Sequence, residues 1–115
     1  MIRNVTTGEE VASRLKWCTT PFTRGLGLMF HPPLGQDEAY VFVERWESRS
    51  LTTISMLFVF FPIAVIWLDA RKKVVDKVLA NPFHPYYAPR QPAQYYLECH
   101  PRALEKVHVG DHLDF

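Results

Sequence analysis

The stretch Ile54-Ser55-Met56-Leu57-Phe58-Val59-Phe60-Phe61-Pro62-Ile63-Ala64-Val65-Ile66-Trp67-Leu68 decides the fold. It ends a run of 19 residues, 50–68, that carries no charged side chain, close to the roughly 20 residues with which a helix crosses a bilayer. Pro62 interrupts the run, and Val, Ile, Phe and Trp prefer strands. Periodicity alone does not separate the two structures, but these features favour two buried strands, residues 53–61 and 63–69, over a membrane helix.

Outward from this run, the chain alternates between short apolar segments and turns. Four of the nine prolines fall within residues 81–92 and predict an extended, turn-rich excursion. Thr20 and Pro21 favour a short helix start, and Pro101 would open a second helix over residues 101–107. A turn is predicted at residues 70–73, and the charged residues 44–49 would separate two strands. The remaining predicted strands are residues 2–5, 11–18 (half-exposed, by its alternation), 39–44, 74–79, 94–99 and 112–115.

These segments predict a mainly β fold, with α+β at the margin. The expected architecture is a small compact β-barrel or sandwich of about seven short strands with one or two short helices. A chain of 115 residues fits one domain, residues 1–115. Hydrophobic residues make up 48% and charged residues 22%, which excludes a disordered chain.

Charge and cysteine content limit the partners and the compartment. The net charge of +1 provides no field to attract phosphates, so no nucleic acid partner is expected. Cys18 and Cys99 are too few for the disulfide framework of a small secreted fold, and no apolar signal region follows Arg3. We therefore expect a cytoplasmic protein without a membrane span. Its partner would be a small molecule or a protein, and its oligomeric state is not indicated.

Two motifs stand in a fixed order along the chain: Thr23-Arg24-Gly25-Leu26-Gly27-Leu28-Met29-Phe30 and Pro62-Ile63-Ala64-Val65-Ile66-Trp67-Leu68-Asp69. Val74-Val75, the proline-rich region, Tyr95-Tyr96-Leu97-Glu98 and Val109-Gly110-Asp111 follow them. In this order, residues 20–115 resemble the DUF192 family of small proteins without an assigned biochemical function. The resemblance implies a compact, mainly β fold and no known reaction. Thr23 and Ala64 stand where the family usually has Glu and Asp, so any role of those carboxylates is absent or relocated here.

Six residues are candidates for ligand binding: Arg24, Met29, Met56, Asp69, Tyr86 and Tyr87. The Arg24 guanidinium would either clamp a carboxylate ligand or, as we favour, pair with Asp69 inside a small core. Met29 and Met56 would line an apolar cavity or simply fill the interior. Tyr86 and Tyr87 belong to a proline-preorganised loop that is either a binding surface or a cap over the core.

No catalytic, metal or cofactor site is predicted. The histidines and Cys99 lack paired ligand spacing, and Gly110 interrupts the helix that His108 and His112 would need. No Gly-x-Ser-x-Gly segment is present. The leading hypothesis is a noncatalytic binding module whose cleft lies between Arg24, the proline-rich loop and the Met56 strand. The alternatives are a small enzyme of unrecognised chemistry using a cleft near Arg24, Asp69 and the same loop, and a membrane-associated protein.

Overall fold

The fold consists of two β-sheets and a short 3-10 helix. A computed structural model describes residues 1–20, 28–29 and 31–115. The elements are β1 Ile2–Asn4, β2 Glu10–Ala12, β3 Arg14–Cys18, β4 Glu38–Ser48, β5 Ile63–Leu68, β6 Val74–Ala80, β7 Ala93–Cys99, the helix Pro101–Glu105 and β8 Leu113–Asp114. A three-stranded sheet has the order β2-β1-β8, and a five-stranded sheet has the order β3-β4-β7-β5-β6. β3 runs parallel to β4, and the other pairs are antiparallel.

This architecture confirms the mainly β prediction. Across the described residues the sheets do not close into a barrel. The same part of the chain contains no helix of the length and apolarity that crossing a membrane requires.

β5 lies inside the five-stranded sheet and is buried on both faces. Its alternate side chains enter two cores, which explains why the sequence reads as a continuous apolar run instead of alternating with polar residues. Ile63, Val65 and Trp67 belong to the first core, together with Tyr40, Phe42, Ile54, Met56, Val59, Phe61 and Tyr96. Ala64, Ile66 and Leu68 belong to the second core, together with Ile2, Val11, Val41, Leu97, Cys99, Val107 and Leu113.

The first half of the apolar run is not a strand, so the prediction for residues 53–61 is wrong. Only Ile54 makes an isolated bridge, to Tyr87. The amide of Val59 then donates to the Met56 carbonyl at 3.2 Å and closes a turn. β5 already pairs with β6 and β7 on its two edges, so this segment has no edge of β5 to join. It covers a face of the sheet instead.

Two further predictions need correction. Residues 11–18 divide at Ser13, because the amides of Ser13 and Arg14 both donate to the Asp37 carbonyl, at 3.0 and 2.9 Å. The two halves therefore enter different sheets as β2 and β3, and Val11 and Ala12 are both buried. Residues 44–47 do not separate strands, since β4 continues to Ser48 with an irregularity after Val43. The helix expected from Thr20 and Pro21 lies outside the described residues.

Candidate functional site

Two loops lie side by side over the first core, residues 54–61 and 81–87. Ile54 and Tyr87 exchange two backbone hydrogen bonds, both of 2.9 Å. The Met56 amide donates to the His84 carbonyl at 3.1 Å, and the Phe83 amide donates to the Met56 carbonyl at 3.0 Å. Inward-facing Ile54, Met56, Val59 and Phe61 are buried in the first core. Four backbone hydrogen bonds and an apolar underside therefore hold both loops in place.

The outer side of these loops is also apolar. Five large side chains are 48–62% exposed there, and we call them the aromatic surface: Leu57, Phe58, Phe60, Phe83 and Tyr86. The rings of Phe60 and Phe83 meet edge to face at 5.3 Å. Each of the five side chains keeps about half of its surface or more exposed, and clusters of exposed apolar side chains are often functional.

Two of these phenylalanines occupy backbone positions that favour glycine. Phe58 has φ 63° and Phe83 has φ 65°. Phe83 follows Pro82 in a turn that the His84 amide closes on the Asn81 carbonyl at 3.5 Å, so it takes the position for which such turns select glycine. The left-handed conformation costs an L-residue roughly 1–2 kcal/mol. Strain of this kind concentrates at functional sites, and here it places two aromatic rings on the exposed side.

Three of the predicted site residues, Met56, Tyr86 and Tyr87, lie in these two loops, although Met56 is not in a strand. Met56 is fully buried, and its backbone joins the two loops. Tyr86 is 62% exposed on the aromatic surface. Tyr87 is half-buried: its Oη accepts a 3.0 Å hydrogen bond from the Asn81 amide, and its ring lies 4.4 Å from that of His84. Met56 and Tyr87 thus support the loops, and the side chain of Tyr86 faces outward.

Asp69 lies away from these loops, in the hairpin between β5 and β6. Its Oδ1 accepts hydrogen bonds from the amides of Arg71, at 2.9 Å, and Lys73, at 3.0 Å. The carboxylate therefore shapes the hairpin turn. Met29 is half-buried in a turn with Leu28. Arg24 lies outside the described residues, and with it the predicted pairing to Asp69.

Sequence reasoning missed three polar side chains, Lys16, Tyr40 and Glu98, that lie in one row of the large sheet on the face of the first core. The strand register aligns Lys16, Tyr40, Glu98 and Val65 across four strands. Glu98 is 6% exposed, and burial raises the pKa of its carboxyl to about 8. The Tyr40 hydroxyl lies 2.7 Å from Nε2 of His31. The sequence signal that could have found Glu98 is the alternation of side chains along a strand. Glu98 stands two residues after Tyr96 and therefore lies on the same face of β7.

Both cysteines are poor nucleophiles. Burial, with a contribution from Glu98, raises the pKa of the Cys18 thiol, and the same two causes raise the pKa of Cys99 to about 12. The thiols are free and belong to cores on opposite faces of the sheet. Since the thiolate is the reactive form, neither suits nucleophilic catalysis at neutral pH. Among the described residues, no group of three or more His, Cys, Asp or Glu could hold a metal ion.

Comparison with known proteins confirms the resemblance. The family model DUF192, described as "Uncharacterized ACR", matches residues 3–115. The chain belongs to the DUF192 family. The match begins within β1 and includes β2 and β3, so membership extends beyond the residues 20–115 on which the resemblance was based.

Relatives and solved structures agree with this membership. A UPF0127 protein from Pyrococcus furiosus is 35% identical, over 97% of this chain and 95% of its own length. A protein of unknown function from Novosphingobium aromaticivorans has a TM-score of 0.85 at 22% identity, covering 99% of this chain and 82% of that one. A protein described as a candidate transcription regulator from Sinorhizobium meliloti has a TM-score of 0.85 at 19% identity, covering 98% and 90%. At these identities the two structures show the shared fold alone.

Proposed function

We propose that this DUF192 protein is a noncatalytic module that binds another protein through the aromatic surface. The observation that carries the proposal is the exposure of five large apolar side chains on two loops that the first core holds in place. Clusters of exposed apolar side chains often mark interaction sites. Aromatic residues are also enriched at protein interfaces relative to the rest of the surface.

The form of the aromatic surface favours a protein as the partner, because its five side chains project outward from two loops. A depression of about 170 Å³ between Leu34, Phe61 and His100 is mainly apolar but open to solvent. An outward-facing patch is better matched by the surface of another protein.

We further propose that residues 1–115 act as one domain in the cytoplasm. The second core combines Ile2, Val11 and Leu113 from the small sheet with Val41 and Leu97 from the large one, which supports a single folding unit. Two free cysteines in separate cores suit a reducing compartment. With a net charge of +1, nucleic acid is not the partner we propose.

The proposal can be tested by site-specific photo-crosslinking in cells that naturally make the protein. A photoreactive amino acid replaces Tyr86 in one variant and Trp46 in a matched control, since these side chains are 62% and 60% exposed. We expect discrete protein adducts from position 86 that weaken when Phe60→Ser is added, and none of the same adducts from position 46. The proposal would be wrong if position 86 formed no adduct, or if both positions gave the same adducts.

A further inference from the structure

Tyr40 connects the buried carboxyl of Glu98 with the segment 31–34. We infer that ionisation of Glu98 draws the Tyr40 hydroxyl away from His31 and releases this segment from the first core. The protein thus carries a pH-sensitive latch. The latch lies in a different part of the molecule from the aromatic surface and does not depend on the proposed function.

Tyr40 donates its hydroxyl proton to His31 in this structure. The Tyr40 oxygen lies 2.7 Å from Nε2 of His31, and Nδ1 of the same ring lies 2.5 Å from the Pro32 carbonyl. Since a carbonyl only accepts hydrogen bonds, the single ring proton of a neutral imidazole belongs on Nδ1, and Nε2 is the acceptor. Burial is the main cause that raises the pKa of the Tyr40 phenol, so the phenol keeps the proton that it donates.

Glu98 is the direct neighbour of Tyr40 in the pairing of β4 with β7. Directly opposed residues of an antiparallel pair have Cβ atoms about 4.5–5.5 Å apart, so their side chains interact. The carboxyl is buried, and burial raises its pKa to about 8, so at neutral pH it carries no charge that attracts the phenol. An ionised carboxylate accepts a shorter and roughly twice as strong hydrogen bond. The Tyr40 hydroxyl then donates to Glu98, and His31 loses its donor.

The surroundings of Glu98 leave this role to Tyr40. In the part of the chain that the structure describes, the other titratable side chains on this face are Lys16 and Cys18 on β3, Glu38 on β4 and His100 after β7. Lys16 is exposed, with its ammonium 5.4 Å from the centre of the Tyr40 ring. Glu38 and His100 already accept hydrogen bonds from backbone amides, at 2.8 and 3.1 Å. Apolar side chains fill the rest of the face: Val65 on β5, Val78 on β6, and Ile54, Met56, Val59 and Phe61.

The segment that His31 holds forms one wall of a depression. Leu34 is buried in the first core, and together with Phe61 it lines the open apolar depression of about 170 Å³. An ionised carboxyl in this core has to be hydrated, because an isolated buried charge carries a large penalty. Displacement of segment 31–34, which has then lost its hydrogen bond to β4, admits water and widens the depression.

Nuclear magnetic resonance of the histidine rings tests the first step. In protein with ¹⁵N-labelled imidazoles, the Nε2 shift of His31 reports whether this nitrogen accepts a hydrogen bond, and a His31→Gln variant assigns the signal. We expect a step in this shift with a midpoint near pH 8, and no step in Glu98→Gln, whose neutral amide leaves the hydrogen bond in place. Glu38→Gln, which changes a second carboxyl on this face, should keep the step. The inference is wrong if wild type shows no step or if Glu98→Gln retains it.

Methyl resonances of Leu34 follow the segment itself. Nuclear Overhauser contacts between the Leu34 methyl groups and the Phe61 ring should be present at pH 6.5, lost at pH 9 in wild type and retained at pH 9 in Glu98→Gln. Tyr40→Phe lacks the hydroxyl and should weaken these contacts at both pH values, while the amide spectrum of the large sheet shows that the fold is kept. Contacts that persist in wild type at pH 9, or that disappear in Glu98→Gln, would overturn the inference.

Discussion

Asn4 donates a hydrogen bond from Nδ2 to Oδ2 of Asp111 at 2.7 Å, joining residues 107 positions apart in the chain. Both side chains are buried. Asn4 also donates to the Lys106 carbonyl at 3.0 Å, and Asp111 Oδ2 accepts from the His108 amide at 2.9 Å. This pair fastens the three-stranded sheet to the segment that follows the 3-10 helix.

The first prediction concerns this pair. Asn4→Ala should lower the free energy of unfolding by about 2–4 kcal/mol, because a hydrogen bond to a charged group is lost and a buried carboxylate oxygen loses a donor. Urea unfolding followed by far-UV circular dichroism measures the change. Thr7→Ala is the control, since its hydroxyl accepts only an exposed hydrogen bond from the Glu9 amide. A loss for Asn4→Ala no larger than that of the control would contradict the role assigned to the pair.

The second prediction is a pH dependence set by Glu98. Burial raises the pKa of its carboxyl from 4.5 to about 8 in the folded state. Below the unfolded pKa both states are protonated and there is no penalty. As the pH rises from about 4.5 to about 8, the unfolded chain ionises while the folded one keeps its proton, so the free energy of unfolding falls by at most about 1.4 kcal/mol per pH unit.

Glu98→Gln should flatten this slope and stabilise the protein at mildly alkaline pH, because a neutral amide carries no ionisation penalty. Chemical unfolding at several pH values across the window measures the slope. Glu10→Gln, at an exposed position in β2, serves as the control and should leave it unchanged. An equal slope in wild type and Glu98→Gln would show that Glu98 does not set the dependence.

The third prediction separates backbone strain from side-chain loss at Phe83. Phe83→Gly and Phe83→Ala both delete the ring, but only alanine keeps a Cβ at φ 65°. The glycine variant should therefore be more stable than the alanine variant by about 1 kcal/mol, after the greater freedom of glycine in the unfolded chain is allowed for. Urea unfolding of both variants, analysed with a common dependence of the free energy of unfolding on urea concentration, measures the difference. Equal stability of the two variants would argue against strain in this turn.

The fourth prediction concerns Trp67, which is fully buried in β5 and donates from Nε1 to the Thr52 carbonyl at 2.7 Å. Trp67→Phe should cost about 2–4 kcal/mol, since it leaves a cavity and a buried carbonyl without its donor. Trp46→Phe, at an exposed position, should change stability by no more than about 0.5 kcal/mol. Thermal and urea unfolding report both changes, and comparable losses for the two would show that the buried hydrogen bond contributes little.

Local sequence was sufficient for the central strand and several of its neighbours. Residues 63–68 are apolar, β-branched or aromatic throughout, and such a run between Pro62 and a polar turn suits a strand buried on both faces. The same reasoning predicted β6 and β7 to within a residue or two. It was not sufficient for residues 53–61, which are apolar except for Thr53 and Ser55, because strand formation also requires an unoccupied edge.

The candidate site was predictable only in part. Tyr86 and Met56 were named because prolines and tyrosines mark an ordered surface loop and because methionine stood in the apolar run. Phe58 and Phe60 were expected inside, since large apolar residues are usually buried. Alternation puts Glu98 on the face of β7 that carries Tyr96, but the burial of its carboxyl depends on the pairing of β7 with β4.

By itself, the sequence determined family membership, the mainly β class and the buried central strand, because these depend on the order and type of neighbouring residues. Only the tertiary structure decided which apolar side chains face outward and which carboxyl is buried. Those outcomes depend on strand pairing between residues far apart in the chain, which determines the edges and faces left for each segment to cover.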